Sequence, residues 1–246
     1  MAHFGDPLVI LSSVESTNNH AMKRLKVGKI AHGTTFFALE QTQGKGQRAK
    51  HWESKKGENI TMSVVADCKN LQIQHQNQLS IAVALACYAM LKNYTGDEVA
   101  IKWPNDLYWG DRKAGGILIE NVVLGQNWET AIIGIGINVN QTEFGVMDRK
   151  PVSLKQITGK QLNPIDLANE ICHELDVIFS HIGKPSFKQF HNQYNTVLYK
   201  REQVVKFKEG NIQFEALVKR VTESGHLVIQ QGVEREIALG EIEWMS

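Results

Sequence analysis

Residues 101–121, IKWPNDLYWGDRKAGGILIEN, place two groups of turn-forming residues between apolar, strand-like runs. Pro104, Asn105 and Asp106 each favour a tight turn through their backbone or side-chain geometry. Gly110-Asp111 favours a second turn after a short apolar run. The segment is therefore predicted to contain a β-hairpin with a polar turn near one end.

Lys113 stands just before Gly115-Gly116, and the apolar strand that follows is predicted to start at these two glycines. Glycine leaves the backbone uncovered, so an anionic ligand can approach both the backbone and the nearby cation closely. The polar turn and the lysine therefore predict an anion or nucleotide site. The same pattern also fits a surface hairpin with a solvated lysine, and the residues alone leave both interpretations open.

The chain has 246 residues, of which 42% are hydrophobic and 22% charged, and its formal net charge is +1. This composition is typical of a globular protein with one large domain, or with one domain and a small appendage. The small net charge provides no general attraction to nucleic acids or acidic membranes. The longest apolar run, 81–90, is too short to cross a bilayer, and no signal peptide is predicted.

The three cysteines, Cys68, Cys87 and Cys172, are far apart in the sequence. They match neither a metal-ligand spacing nor a disulfide framework, which predicts a reducing, cytoplasmic environment. The motifs H-E-x-x-H and G-x-S-x-G are also missing from the sequence, so neither zinc catalysis nor a nucleophile elbow is predicted.

The order of predicted elements favours an α+β protein with two parts. Strands are predicted at 4–11, 34–39, 59–66, 99–102 and 130–140. Helices are predicted from Ser16 or Thr17 to Gly28, over 78–92, at 153–157, from Asn163-Pro164 through 182, and over 187–198. Short strands at 204–207, 214–221, 227–230 and 236–239 then alternate with glycine turns. We therefore predict one domain at 1–199 and a small all-β domain at 200–246.

The polar stretch 40–52, EQTQGKGQRAKHW, brackets Lys45 with Gly44 and Gly46. Flexible backbone amides next to cations can wrap around a phosphate or a carboxylate. The stretch is neither a P-loop nor a dinucleotide fingerprint, and by itself it fits a solvated loop as well.

Several motifs, taken together and in order, resemble the signature of the biotin protein ligases. They are ESTN at 15–18, EQTQGKGQR at 40–48 with Trp52, KWPND at 102–106, DRKAGGILIE at 111–120 and GIGINVN at 134–140. The chain resembles the short bacterial form of these enzymes, without an N-terminal DNA-binding domain and without repressor function.

The resemblance implies a mixed sheet with packed helices, similar to the core of class II aminoacyl-tRNA synthetases, and a small C-terminal SH3-like β-barrel. It also implies an activity. The enzymes of this family use ATP to convert biotin into biotinyl-5'-AMP, and they transfer the biotinyl group to a lysine of a biotin carboxyl carrier protein domain. The implied cofactor is Mg²⁺, and the implied partners are the carrier domain and, as an open alternative, a second copy of the chain, with no DNA and no membrane.

The resemblance also assigns roles to individual residues. It implies that catalysis depends on Lys113, Lys45 and Arg48. It implies biotin contacts from Ser16, Thr17, Asn18, Gln41, Gly44, Lys45, Gly46, Gln47, Lys113, Gly115 and Gly116. It implies contacts to ATP from Arg48, Trp52, Lys102, Asn105, Asp106 and Asn138, with Asp106 helping to place Mg²⁺.

The chain departs from the common family pattern at Lys45 and Gln47, where arginines often stand. Lys45 keeps the positive charge but lacks the planar fork of arginine, and Gln47 is neutral. Arg48 could supply the missing charge. Two other functions stay open: a lipoate ligase or octanoyltransferase, which resembles the same fold, and a non-catalytic module that binds biotin or a carrier domain.

Overall fold

The structure, a computed structural model, describes residues 3–47, 51–145 and 150–245. Within these residues the strands form one seven-stranded sheet, called the central sheet below, and one five-stranded sheet, called the C-terminal sheet. Helices pack against the central sheet. The prediction of an α+β protein with a mixed sheet is confirmed.

The central sheet consists of β1 (Leu8–Leu11), β2 (Thr35–Ala38), β3 (Asn59–Asp67), β4 (Val99–Lys102), β5 (Asp106–Trp109), β6 (Arg112–Leu124) and β7 (Asn127–Asn138). Its strand order is β1-β2-β3-β7-β6-β5-β4. β1 and β2 are parallel, and the other neighbouring strands are antiparallel. A parallel pair needs a crossover connection, which the first helix supplies.

The helices are α1 (Thr17–Val27), α2 (Gln76–Thr95), α3 (Leu154–Thr158), α4 (Pro164–Phe179) and α5 (Lys188–Thr196). The predicted caps are confirmed: Ser16 accepts the Asn19 amide at the start of α1, and the Asn163 side chain accepts a backbone amide at the start of α4. The prediction that this last helix extends through Ile182 was wrong. After Ser180 the chain tightens into successive three-residue turns, so α4 ends at Phe179.

The two faces of the central sheet pack against different helices. The larger core, which includes α2 and α4, covers the face that carries Phe37, Val64 and Ile133. Neighbouring strand residues point to opposite faces. Phe36, Val65 and Ile132 accordingly belong to a separate small cluster with Ala21 of α1. α1 therefore covers the second face. Ser63 and Gly134, each two residues from Val65 or Ile132 and paired with one another, also lie on that face.

The C-terminal sheet consists of β8 (Val204–Glu209), β9 (Ile212–Val221), β10 (Leu227–Gln231), β11 (Val233–Ile237) and β12 (Glu243–Trp244). Its strand order is β11-β10-β9-β8-β12, and every neighbouring pair is antiparallel. The short strand β12 was missed from the sequence, and β11 begins three residues before the predicted 236. Within the described ranges no strand pairing joins β11 to β12, so the SH3-like barrel stays a prediction.

The predicted hairpin is present as β5 and β6, with β4 added as a third strand. The prediction that the second arm starts at Gly115-Gly116 was wrong, because β6 already begins at Arg112. Arg112 and Lys113 pair with Trp109 and with its neighbour on β5. Lys113 therefore belongs to a paired strand and does not lie on a free loop.

A β-bulge in β6 decides which way Lys113 points. Leu107 pairs with Gly115, whereas the next residue of β5 pairs with Lys113, so Ala114 is an extra residue in β6. A bulge breaks the two-residue alternation of side chains. A Cβ on Gly116 would lie 3.4 Å from Lys113 Nζ, whereas one on Gly115 would lie 3.2 Å from Leu107 Cδ1 in the core. Lys113 and Gly116 thus share one face of the sheet, although they are three residues apart.

Candidate functional site

A cavity of about 420 Å³ is lined by the first turn of α1, by Gln41, by residues 45–47 and 51–52, by strands β3, β6 and β7, by the turn 103–106 and by residues 239–240 and 242–244. These segments are distant in sequence. The cavity brings together the predicted residues Ser16, Thr17, Asn18, Gln41, Lys45, Gly46, Gln47, Trp52, Asn105, Asp106, Lys113 and Gly116.

One end of the cavity is formed by the polar strip, which we define as Ser16, Thr17 and Asn18. Each of these residues is at most 3% exposed. The Thr17 hydroxyl donates to Gln41 Oε1 at 3.1 Å, and the same oxygen accepts the Thr17 backbone amide at 2.7 Å. Because Gln41 Oε1 accepts both of these bonds, the Nε2 group of Gln41 is the end that remains to donate to a ligand.

Asn18 is held by three hydrogen bonds from strands on either side. Its Nδ2 group donates to Glu120 Oε2 at 2.7 Å and to Leu118 O at 3.3 Å. Its Oδ1 atom lies 2.5 Å from the hydroxyl of Ser63, which also lies 2.7 Å from Thr17 Oγ1. A serine hydroxyl has one proton, so Ser63 donates to one of these two acceptors at a time. The polar strip is therefore neutral, buried and well supplied with hydrogen bonds.

Glycines in β7 make room for the side chains that form the cavity. A Cβ on Gly134 would lie 2.4 Å from Asn18 Oδ1, and a Cβ on Gly136 would lie 2.6 Å from the indole ring of Trp52. Both distances are shorter than any normal van der Waals contact. These strand glycines therefore leave room for Asn18 and Trp52, which cover the positions that side chains would otherwise fill.

The other end of the cavity carries a partly buried ion pair. Lys113 Nζ lies 2.6 Å from Asp106 Oδ1, with the lysine side chain 26% exposed and the aspartate side chain 8% exposed. The amine also lies 5.8 Å from the centre of the Trp52 ring, within the range of a cation–π contact. The bulge in β6 and the turn before β5 therefore bring a cation and a carboxylate to the same point on the cavity wall.

The glycine-rich stretch borders this cavity on the solvent side. Lys45 is exposed, and its amine donates to Asn19 Oδ1 at 2.7 Å. Gln47 is half-buried and lines the cavity. Arg48 lies outside the described residues. Gly44 is buried behind the stretch, where a Cβ would lie 2.3 Å from Trp52 O, and it does not line the cavity.

Three further predicted residues support the wall from behind. Gly115 faces the core, as described above. Asn138 is buried, and its Nδ2 group donates to Val152 O at 3.1 Å and to Lys113 O at 3.4 Å. Lys102 is 8% exposed, and its amine lies 4.7 Å from the ring centre of Tyr108 and 5.2 Å from that of Trp244. None of these three described residues lines the cavity.

The sequence analysis missed the contribution of the C-terminal part. Leu239, Ile242, Glu243 and Trp244 line the cavity together with Trp103. Trp244 Nε1 donates to Trp103 O at 3.1 Å. In the other direction, Trp103 Nε1 donates to Gly225 O at 2.9 Å. No sequence motif marks these residues, because the contacts join positions about 140 apart in the chain.

The turn between β5 and β6 is tied to the start of the C-terminal part. Asp111 accepts a hydrogen bond from the Tyr199 hydroxyl at 2.8 Å and pairs with Lys200 Nζ at 2.7 Å. Hydrogen bonds from Lys200 and Tyr199 hold the pKa of the Asp111 carboxyl below its usual value. The ionised form of Asp111 therefore stabilises this junction.

Within residues 3–47, 51–145 and 150–245, no three His, Cys, Asp or Glu side chains come together in a cluster that could hold a metal ion. Among the described helices, none is long and apolar enough to cross a membrane.

Comparisons with known proteins agree with this geometry. Residues 10–138 match the model of the biotin/lipoate A/B protein ligase family. The bifunctional ligase/repressor BirA of Escherichia coli is 26% identical over 98% of this chain and 75% of its own length. The biotin–[acetyl-CoA-carboxylase] ligase of Paracoccus denitrificans is 25% identical over 93% of this chain and 96% of its own length.

A solved structure of the biotin protein ligase from Aquifex aeolicus, in complex with biotin and ATP, superposes with a TM-score of 0.80. The two chains are 26% identical, and the match covers 97% of this chain and 98% of the other. The matched family model spans more than half of the residues and contains most of the cavity wall. The chain belongs to the biotin/lipoate A/B protein ligase family.

Proposed function

We propose that this protein is an ATP-dependent biotin–protein ligase, which activates biotin as biotinyl-5'-AMP and transfers it to a lysine of a biotin carboxyl carrier protein domain. The observation that carries the proposal is one cavity with two chemically different ends. A neutral, hydrogen-bonding strip lies at one end, and Lys113 with Asp106 lies at the other. Biotin has the same polarity, with a neutral ureido ring at one end and a carboxylate at the other.

In the first reaction step, a biotin carboxylate oxygen attacks the α-phosphorus of ATP, and the bond to the bridging oxygen breaks to release pyrophosphate. Negative charge accumulates on the α-phosphate oxygens, where a fixed cation stabilises the transition state more than the ground state. We assign this role to Lys113. Its amine lines the cavity and is held in place by Asp106 at 2.6 Å. The same amine would orient the biotin carboxylate for attack.

The ureido ring would bind at the polar strip. A ureido group has two N–H donors and one carbonyl acceptor, so it needs both kinds of partner. Ser16 and the Nε2 group of Gln41 would donate to the ureido oxygen, and Asn18 Oδ1 would accept from a ureido N–H. The burial of this strip supports the role, because buried hydrogen bonds reject ligands that leave them unpaired.

In the second step, the amine of the carrier lysine attacks the carbonyl carbon of the mixed anhydride. The amine loses a proton, an amide forms, and AMP leaves. Water competes with this amine, so the adenylate must be shielded. We propose that Gly44, Lys45, Gly46, Gln47 and Arg48 provide this cover, with Trp52 as part of the wall. The position of Gln47 on the cavity rim supports this role.

The nucleotide would bind near the turn 103–106 and the end of β7. Asn105 and Gly116 line the cavity, and Gly116 leaves backbone open beside Lys113. For Gly115, Lys102 and Asn138 we propose an indirect role, since they support the wall from behind. Asn138 acts on the backbone of Lys113 itself, through the hydrogen bond of 3.4 Å.

Asp106 fits a role in placing Mg²⁺. Mg²⁺ is usually bound by one or two carboxylates together with substrate phosphates, so a single carboxylate on the cavity wall is a suitable ligand. Asp106 is 5% exposed and lines the cavity. When bound, the ion would neutralise charge on the phosphate oxygens.

Four further assignments complete the proposal. The catalytic domain would comprise residues 1–199, and the domain at 200–246 would be a small SH3-like barrel. The acceptor would be the biotin carrier domain of a carboxylase, and a second copy of the chain could form a homodimer with the first. The cysteines are buried and unpaired, which supports a cytoplasmic location. Acidic membranes and DNA are not expected as partners, given the net charge of +1.

The test is biotin-dependent exchange of labelled pyrophosphate into ATP, followed by transfer of biotin to a purified carrier domain. Both activities are expected. A lipoate ligase would instead show exchange that depends on lipoate. A thermal-shift comparison separates the two, because the ligand that binds the native state raises the melting temperature. Stabilisation by biotin without exchange would indicate a non-catalytic binding module.

A further inference from the structure

We propose that Glu120 is a positioning residue for biotin, because it fixes the orientation of the Asn18 amide so that a carbonyl oxygen faces the ligand. The inference rests on the proposed function and deepens it, since it concerns how the polar strip selects a ureido ring. Glu120 belongs to β6, two residues beyond Leu118, and its side chain lies on the cavity face of the central sheet.

The contacts of Asn18 define its orientation. An ionised carboxylate only accepts hydrogen bonds, and so does a backbone carbonyl. Glu120 Oε2 at 2.7 Å and Leu118 O at 3.3 Å therefore both require the NH₂ end of the amide. The carbonyl end then points to Ser63, whose hydroxyl lies 2.5 Å away, and to the backbone of Gly134. A reversed amide would place its oxygen against two acceptors.

This orientation of the Asn18 amide leaves a hydrogen-bond acceptor for a ligand. Both Nδ2 protons of Asn18 are used, one by Glu120 and one by Leu118 O. The Oδ1 atom has two lone pairs, of which Ser63 uses at most one. Asn18 therefore reaches the cavity as an acceptor, which suits a ureido N–H. The dithiolane ring of lipoate has no N–H to offer, so the same arrangement disfavours it.

Glu120 is suited to this task because its bond to Asn18 is charge-assisted. Such bonds are about twice as strong as neutral ones. Glu120 is half-buried, whereas Asn18 is 3% exposed, so the carboxylate keeps part of its hydration while its inner oxygen holds the amide. Without Glu120, the NH₂ end of Asn18 would be held by Leu118 O alone, through one longer bond of 3.3 Å, with more freedom to rotate.

The experiment compares Glu120→Ala with Glu120→Gln in biotin-dependent pyrophosphate exchange. For Glu120→Ala, the KM for biotin is expected to rise about tenfold, with kcat and the KM for ATP little changed. Glu120→Gln keeps a carbonyl oxygen that can accept from Asn18, so it should restore most of the affinity. Glu129→Ala is the matched control, because Glu129 is a half-buried glutamate on the neighbouring strand β7.

A second readout separates positioning from general loss of structure. Biotin analogues methylated at one or the other ureido nitrogen lack one N–H donor. The wild-type protein should bind the analogue that lacks the N–H facing Asn18 much more weakly than biotin. In Glu120→Ala this difference should shrink, since the acceptor is no longer fixed. A purely structural role would weaken binding of biotin and of both analogues by the same factor.

The inference is overturned if the KM for biotin in Glu120→Ala equals that of the wild type, or if discrimination among the analogues is unchanged. It is also overturned if Glu120→Gln is as impaired as Glu120→Ala. These results would leave the proposed function intact, because that depends on exchange by the wild-type protein. A wild-type protein without biotin-dependent exchange would instead remove the proposed function itself.

Discussion

The two ends of the cavity differ in burial and in charge. At the polar strip, Thr17 and Asn18 are almost completely buried, and their polar atoms are paired with Gln41, Ser63 and Glu120. At the other end, the groups are charged and partly open, with the Lys113 side chain 26% exposed. Lys45 is exposed, and its amine donates to Asn19 Oδ1 beside the polar strip.

This difference indicates that the polar strip recognises biotin, whereas the charged end carries out the chemical step. A buried network of hydrogen bonds is already ordered, so a ligand that fits it binds without rearranging the protein. A lysine paired with one carboxylate can exchange that partner for a phosphate or a carboxylate of the substrate. The first end should therefore control the KM for biotin, and the second should control kcat. Four substitutions test this division.

The largest effect is expected for Lys113→Ala. Removing a cation that faces developing charge should lower the rate of biotin-dependent pyrophosphate exchange by about 10²- to 10³-fold, with a much smaller change in biotin affinity. Lys92→Ala is the matched control, because Lys92 also pairs with an aspartate, at 2.9 Å, but lies on α2. Exchange close to the wild-type rate in Lys113→Ala would remove the lysine from the mechanism.

Gly134→Ala should have the next largest effect, and mainly on the KM for biotin. The added Cβ would lie 2.4 Å from Asn18 Oδ1, so Asn18 must move and its network must break. Overpacking of this kind costs about 1–3 kcal/mol, which corresponds to roughly a 5- to 150-fold higher KM. Gly28→Ala is the control, since no atom lies within 4 Å of a Cβ at Gly28. An unchanged KM would show that Asn18 does not contact biotin.

Trp244→Phe tests whether the C-terminal part acts on the charged end. The substitution keeps an aromatic ring beside Lys102 but removes the hydrogen bond of 3.1 Å to Trp103 O. Loss of one hydrogen bond costs about 1 kcal/mol, so kcat should fall about fivefold while the KM for biotin stays nearly constant. Tyr94→Phe removes one hydrogen bond to Glu170 on the helical side and serves as control. If only the KM for biotin changed, Trp244 would act on the polar strip, which contradicts its assignment to the charged end.

The smallest effect is expected for Lys45→Ala. An exposed cation contributes at most about 1 kcal/mol, so exchange and biotin affinity should change by no more than about fivefold. Lys45→Arg should equal or exceed the wild type, because the planar fork of arginine can bind an anion through two hydrogen bonds. The measurement is the same exchange assay at low and high salt. A loss comparable to that of Lys113→Ala would show that this exposed cation acts in the chemical step as directly as Lys113 does.

Much of the fold could be predicted because its signals are local. Ser16 and Asn163 cap helices as their side chains suggest, and Gly110-Asp111 makes the turn between β5 and β6. The end of α4 could not be predicted as well, because the apolar spacing continues to Ile182 after the helix has tightened into turns. The short strand β12 carries almost no periodic signal over its two residues.

The candidate site was predicted as a set of residues, but its geometry was not. The motif resemblance drew attention to Lys113, Asp106 and the polar strip, and these do share one cavity. It gave equal weight to Gly115 and Gly116, which point to opposite faces of the sheet because Ala114 is an extra residue in the strand. A bulge depends on strand pairing, so the sequence of one strand does not reveal it.

The sequence by itself determined which chemical groups are available: a lysine after a polar turn, neutral hydrogen-bonding residues at a helix start, and glycines in apolar strands. Those groups follow from residue type and from short-range backbone preferences. The tertiary structure alone decided how they meet. Strand pairing aligned Glu120 and Ser63 with Asn18, and packing brought Trp244 to the turn at Trp103. Contacts of this kind join residues far apart in the chain, and local preference does not encode them.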